Sequence, residues 1–265
     1  MGAPNAIRIA LLLLSAASFV PQLSRLLARG DSAGLAPKYI LFNLIVATQQ
    51  FSLGLYYIVA NDELDLVVHS PPTAGDWLNL AQFTVVWLGH LILFGAYLFY
   101  PPSRPGTKAA LLSVYITFLL ISIVPVIVIA VLPPTGTDAY GDRRWISAVF
   151  GNVSSLVVNP IVTAVAIAAY FPQARELQSR SDVGAVSVLG LAVQAGVFLV
   201  VAIFWPLRMQ VPRNFSFSMW YQFGGWATLD NLVFAFVQAV LWLMSRRLDG
   251  AVSQSTSEST PLIVT

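Results

Sequence analysis

Residues 18–44 read SFVPQLSRLLARGDSAGLAPKYILFNL, and residues 169–193 read AYFPQARELQSRSDVGAVSVLGLAV. Each stretch carries a hydrophobic run into Pro-Gln, follows it with a basic loop, and places a glycine just before the next apolar run. Pro21-Gln22 matches Pro172-Gln173, and Gly34 matches Gly184 with one residue of slippage. The likeness extends outward. Two further runs later, Gln82 and His90 are eight residues apart, and so are Asp230 and Gln238. An internal repeat of this length is a statement about architecture, so it comes before any single motif.

The composition sets the class. Apolar residues make up 57% of the 265-residue chain and charged residues 10%, against about 25% charged in a soluble domain. The apolar residues come in blocks long enough to cross about 30 Å of hydrocarbon as helices. Seven such blocks are predicted, at 7–28, 39–60, 77–100, 109–132, 145–170, 183–205 and 219–244. The expected fold is therefore an all-α integral membrane protein with seven transmembrane helices. The first block is read as retained, because no small-residue cleavage site follows it. No cysteine is present, so disulfides, thiolate metal sites and cysteine nucleophiles are excluded.

Lys and Arg set the orientation. Arg25, Arg29, Lys38, Arg104, Lys108, Arg175, Arg180, Arg246 and Arg247 fall on one side, and Arg8, Arg143, Arg144, Arg208 and Arg213 on the other. The richer side is assigned to the cytosol, with the C-terminus and both Pro-Gln loops, and the N-terminus to the lumen. The opposite loops are acidic around Asp62, Glu63, Asp65, Asp138 and Asp142, and Asn214-Phe215-Ser216 is a glycosylation sequon among them.

Two three-helix units joined by a single helix must run parallel, because an odd linker restores the orientation. Parallel repeats are a known transporter design. The expected organisation is 3+1+3: a first repeat at 1–100, a linker helix and lumenal loop at 101–144, a second repeat at 145–247, and a disordered cytosolic tail at 248–265. With FVPQLSRLLARGDSAGLA and YFPQARELQSRSDVGAVS as its two carrying stretches, the chain resembles the PQ-loop repeat family, which includes cystinosin-type lysosomal exporters, SWEET sugar carriers and the KDEL receptor. The second copy departs from the family's usual Gly-Leu-Ser ending, with Gly184-Ala185-Val186-Ser187.

Proline removes a backbone donor and clashes with the carbonyl one turn earlier, here Ala17 and Ala168. Pro21, Gln22, Pro172 and Gln173 are thus expected to form two kinks near the cytosolic mouth. The glutamine amides are expected to bond the backbone groups that the prolines free. A hinge for gating and a static packing kink are both compatible with this pattern, and the family resemblance favours the hinge.

A carboxyl at mid-membrane costs about 2.5–3.5 kcal/mol on insertion scales and asks for a reason. Asp230 lies in the last predicted span with no basic residue near it in that helix. Such burial favours the protonated acid, which suits a group that loads a proton in an acidic lumen and releases it to the cytosol. Cystinosin-like members use an acid in the seventh span for proton coupling, and the resemblance implies that role for Asp230. The alternative is a packing acid bonded to Asn231. His90 is the second candidate for proton coupling, either titrating or bonding Gln238, with a neutral packing histidine as the alternative. Asn43, Gln82, Asn152, Asn159, Gln194 and Asn231 are the candidate substrate-binding residues, with Gln49 and Gln50 as further hydrogen-bonding groups. Trp87, Trp226 and Tyr221 are expected either against solute or as interface anchors.

In the tail, Glu258, Leu262 and Ile263 fit an acidic dileucine signal read by clathrin adaptors, which points to a vacuolar or lysosomal membrane. No cofactor, metal site, enzyme motif or nucleic-acid surface is legible. The partners expected are a small polar solute, protons, the bilayer and the adaptor. The function expected is proton-coupled export of that solute, an amino acid, to the cytosol. A non-transporting receptor or adaptor, and a SWEET-like sugar uniporter, are the alternatives on the same fold.

Overall fold

The computed structural model describes residues 4–60, 68–100, 108–132, 139–180, 182–208 and 215–258, with side chains left out at 139–141 and beyond 250. Among them the chain is helical throughout, with no strand. The helices are α1 (Asn5–Ser18), α2 (Val20–Arg29), α3 (Pro37–Val59), α4 (Ala74–Phe99), α5 (Lys108–Val131), α6 (Ala139–Val153), α7 (Asn159–Ala168), α8 (Tyr170–Gln178), α9 (Val188–Phe204), α10 (Phe217–Trp220) and α11 (Trp226–Glu258).

Five helical runs are long and apolar enough to cross a membrane: Asn5–Arg29, Ala74–Phe99, Lys108–Val131, Asp142–Gln178 and Phe217–Gly250. α3 has the length at 23 residues, but Asn43, Gln49 and Gln50 lower its mean hydropathy. α9 has only 17 residues. Large apolar side chains face outward along these runs, among them Leu13, Ile121, Ile161, Ile203 and Phe236. An outer apolar surface of that extent belongs against lipid rather than water.

Local chemistry explains where the helices start and break. Thr73 and Asp76 form a capping box at the start of α4, and Ser187 accepts the Gly190 N–H at the start of α9, each satisfying otherwise orphaned donors. The run through Pro21 breaks at Phe19, between α1 and α2, and the run through Pro172 breaks at Ala169, between α7 and α8. Both breaks fall two to three residues before a proline, where its missing donor and its ring disturb the preceding turn. A π-helical turn at Ser154–Val158 precedes Pro160. A second, at Tyr221–Gly225, contains Gly224-Gly225. Both are places where the regular bond ladder is interrupted.

Packing pairs α4 with both α1 and α3, and α11 with both α9 and α7. In each half, the third run thus lies between the first and second. The halves meet through α1 against α9 and α3 against α7 and α8, while α5 packs on α3 and α6. The core follows these seams, with Leu26, Ile40, Leu44, Leu177 and Leu241 fully buried at one end and Leu53, Phe83, Trp205 and Trp226 at the other.

Several boundaries differ from the sequence reading, two of them with a clear consequence. α9 begins at Val188 rather than 183, because residues 183–187 are spent on a turn and a cap. The last helix continues to Glu258, where a disordered tail was expected from 248. Residues 259–265, with Leu262 and Ile263, lie outside the described residues, as do Asp62, Glu63, Asp65, Arg104, Asp138, Arg213 and Asn214.

Candidate functional site

Residues 32–35 and 183–186 each form a tight turn, closed by Leu35 N–H to Ser32 O (3.2 Å) and Val186 N–H to Val183 O (3.1 Å). Positive φ is needed once in each, at Gly34 (92°) and Gly184 (57°). These positions explain the slippage between the repeats. Pro21 and Pro172, Gln22 and Gln173, and Asn43 and Gln194 are each 151 residues apart, but the two glycines only 150. Gly34 is the second central residue of its turn, and Gly184 is the first of its own. The chain therefore makes the same reversal with two turns of different hand, and Ala185, not Gly184, stands where Gly34 stands.

The two turns face each other. Ala185 N–H donates to Ala33 O at 2.6 Å. A Cβ on Gly34 would lie 2.8 Å from Val183 O, and one on Gly184 would collide with the Ala33 carbonyl. Each glycine is thus required for conformation and for approach.

The Pro-Gln amides complete this clasp, in a way that corrects the sequence reading. They do not bond their own broken helices. Gln22 Nε2 donates to Ala185 O (2.8 Å) and its Oε1 accepts from Ser187 N–H (2.9 Å). Gln173 Nε2 donates to Gly34 O (2.8 Å) and its Oε1 accepts from Ala36 N–H (2.9 Å). Each amide spans two backbone groups of the opposite loop. Arg25 Nε adds a bond to Gly184 O (3.1 Å). Both glutamines are buried. A net bond is worth about 0.5–1.5 kcal/mol, but a buried backbone group left unpaired costs about 1–3 kcal/mol. Loss of either side chain strands two such groups.

Beneath the clasp, a small cavity is bounded by Gln22, Tyr39, Asn43, His90, Gln173 and Gln194. A second, of about 20 Å³, is bounded by Asn43, Gln50, His90, Asp230, Asn231 and Phe234. Asn43 and His90 touch both. His90 is held edge-on by Phe19 (4.9 Å between ring centres) and Phe234 (5.6 Å), and its Nδ1 has no hydrogen-bond partner among the described residues. Phe19 is the residue at the α1–α2 break, so the kink bears directly on the histidine.

Asp230 is 2% exposed. Thr163 Oγ1 donates to its Oδ1 (2.6 Å) and Gln50 Nε2 to its Oδ2 (3.4 Å). The Thr163 hydroxyl has one proton to give, so Tyr221, 2.9 Å away, donates into Thr163. The chain runs Tyr221, Thr163, Asp230. None of the ion pairs among the described residues involves Asp230.

The remaining expected residues divide. Asn43, Gln194 and Asn231 line the two cavities, with Asn43 and Asn231 each donating to the carbonyl four residues earlier. Asn159 is buried away from them, accepting from Gln49 at 3.1 Å. Gln82 lies at the other end, bonded to Ser15 and Arg208. Asn152 is exposed on the outer face and bonds Ala148 O on its own helix, so it lines neither cavity. Two expected pairings are replaced. Gln238 bonds the Tyr39 hydroxyl (2.8 and 3.0 Å) rather than His90, and Asn231 bonds Ala227 rather than Asp230. Of the aromatics, Trp87 stacks on Phe51 and bonds Tyr115, and Trp226 is buried against Phe83.

Thr163 was missed by sequence reasoning. Threonines in apolar helices commonly bond their own preceding turn, as Thr48 and Thr84 do here, so nothing local marks the one that reaches another helix. Arg8 and Arg208 were counted only as orientation markers, yet both are buried.

No family model, curated protein or solved structure matches this chain.

Proposed function

We propose that the chain is a PQ-loop secondary transporter of seven spans in a 3+1+3 arrangement, with α5 linking two like-oriented triplets. It carries a small polar solute, an amino acid, with a proton from an acidic compartment such as a vacuole or lysosome into the cytosol. The N-terminus is lumenal and the C-terminus cytosolic. The observation that carries this reading is Asp230: a buried carboxyl held, among the described residues, by the neutral donors Thr163 and Gln50, on a cavity between the halves. An acid kept there without a cation is costly and gains its justification from moving a proton.

Further support comes from the clasp. Its four amide bonds join loops of opposite halves, so rocking one half against the other must break them. Their opening is the cytosolic gate, and Phe19 conveys the bend at Pro21 to His90. A proton moving inward also gains about 2.3 kcal/mol per 100 mV of membrane potential.

Purified protein in liposomes with an acid interior, assayed with a panel of amino acids and sugars, tests the coupling. Asp230→Asn is expected to abolish proton-driven transport while leaving exchange of solute across the membrane measurable. Transport that keeps its full pH dependence in this variant would sink the coupling and leave a SWEET-like uniporter. The narrowness of the cavity beside Asp230, about 20 Å³, favours a second reading, a receptor or adaptor that binds without transporting. Binding with no flux for any solute in the panel would establish it.

A further inference from the structure

Arg208 closes the short 3₁₀ turn Pro206–Arg208 after α9, at the end of the molecule opposite the Pro-Gln loops. It is 4% exposed. Its guanidinium lies 4.9 Å over the Trp205 ring. Nη1 donates to Gln82 Oε1 at 2.6 Å and, at 3.4 Å, to Asn79 Oδ1. Nε and Nη2 have no acceptor among the described residues. Neither does the neighbouring Trp205 Nε1. Burial, and secondarily Arg8, pull the Arg208 guanidinium down to about 10.

Among the described residues no carboxylate pairs with it. Arg8, also buried, places Nη1 on Gly75 O (2.8 Å) and Nη2 on Arg208 O (3.5 Å), adding a second cation. The carboxylate of Asp76 is turned to its own cap and to a histidine. Its Oδ2 accepts from Thr73 N–H (2.8 Å), Thr73 Oγ1 (2.7 Å), His69 N–H (3.3 Å) and His69 Nδ1 (3.0 Å). A buried charge without its complement is strongly destabilising, and buried donors left unpaired ask for a specific explanation, a bound ion among them.

The identity of the two free donors narrows the choice. Nε–H and the Nη2–H beside it point the same way, along one edge of the guanidinium plane. That edge is the fork that takes two oxygens of a planar anion at once. The used nitrogen, Nη1, is the one outside this fork. Asn79 and Trp205, both against Arg208, also line a cavity of about 30 Å³ whose other walls include Phe83, Trp226 and Asp76, the last with its Oδ2 taken up by Thr73 and His69. The Phe83 ring stacks on Trp226 with centres 5.7 Å apart and meets Trp205 at a tilt, 4.6 Å between centres. They form an aromatic wall between this end and the Asp230 cavity.

We propose that the free edge of Arg208, with Trp205 beside it, is a binding site for the carboxylate of a small solute, docked outside the aromatic wall. Its place as an outer station for transported solute rests on the transport reading above. The binding itself does not, and is measured without a membrane gradient.

The test uses the full-length protein purified in detergent. Thermal unfolding is followed against sodium acetate, with ionic strength held by a bulky sulfonate buffer, and in parallel against sodium chloride. Saturable stabilisation by acetate is expected, since a ligand that binds only the folded state raises its melting temperature by mass action. Arg208→Gln is expected to lose it. Arg208→Lys keeps the charge but not the fork, and is expected to need at least tenfold more acetate for half-saturation. Trp205→Phe is expected to weaken binding severalfold while keeping the stacked ring. Absence of saturable acetate stabilisation in the wild type, or equal half-saturation in Arg208→Lys, overturns the proposal even if Arg208→Gln fails to fold. Chloride matching acetate in both midpoint and extent would also overturn it, by showing a point-charge site rather than a two-oxygen one. Failure here leaves the role of Asp230 standing, and failure of uptake leaves acetate binding standing.

Discussion

The two ends of the molecule solve the same problem, closing a helical assembly at its rim, by opposite means. At the Pro-Gln end both glutamine amides have partners at their nitrogen and at their oxygen. Gln22 and Gln173 exchange four bonds with the opposite loops, and a backbone bond joins Ala185 to Ala33. The two Pro-Gln segments bond in the same way. At the other end there is no such symmetry. Among the described residues, two buried arginines stand near Asp76, whose Oδ2 is turned to a cap and a histidine, and Arg208 keeps two donors free. On the transport reading, the matched end is a latch that must be opened. Partial satisfaction makes a site that asks for a ligand. One physical rule, that buried polar groups need partners, yields both.

Locking the satisfied end is expected to have the largest effect. Ala33→Cys with Ala185→Cys places thiols on loops already joined by a backbone bond, in a chain with no cysteine of its own. Oxidation should stop uptake and reduction should restore it. Uptake that continues with the cross-link formed would show that the clasp is not the gate.

A smaller effect compares glycines. Gly30 has φ 65° with nothing within 4 Å of a Cβ, whereas Gly184 has φ 57° and a carbonyl in the way. Gly30→Ala should therefore cost only the left-handed penalty, about 1–2 kcal/mol. Gly184→Ala should cost the same plus the loss of the Ala33 contact, read as a distinctly larger fall in unfolding temperature. Equal falls would mean that the loops do not press together.

The smallest effect lies away from both ends. Asn152→Ala, on the outer face, should change stability by no more than about 0.5 kcal/mol and leave uptake as it was. Lost uptake would place Asn152 on the solute path after all.

Much of the candidate site was legible, because its residues are anomalous where they stand. Asp230, His90 and Asn43 are polar groups in apolar runs, and the bilayer makes such residues conspicuous. Their partners were not legible. Thr163 looks like any helical threonine until α7 is laid against α11. Gln238 and Gln82 find Tyr39 and Arg208 across 199 and 126 residues, and no spacing rule reaches that far. Asn152 and Asn159 are equally polar on one run, yet π-turn geometry and packing put one outside and one within.

Sequence alone determined the helical class, the membrane-length apolar runs and the Pro-Gln breaks, since these follow from composition, periodicity and the covalent limits of proline. Tertiary structure alone decided that each Pro-Gln amide serves the opposite loop, that the two glycines sit at different turn positions, and that Arg208 is buried with one edge unpaired. The reason is that a hydrogen bond depends on distance and direction in space, and neither exists until helices far apart in the chain are packed together.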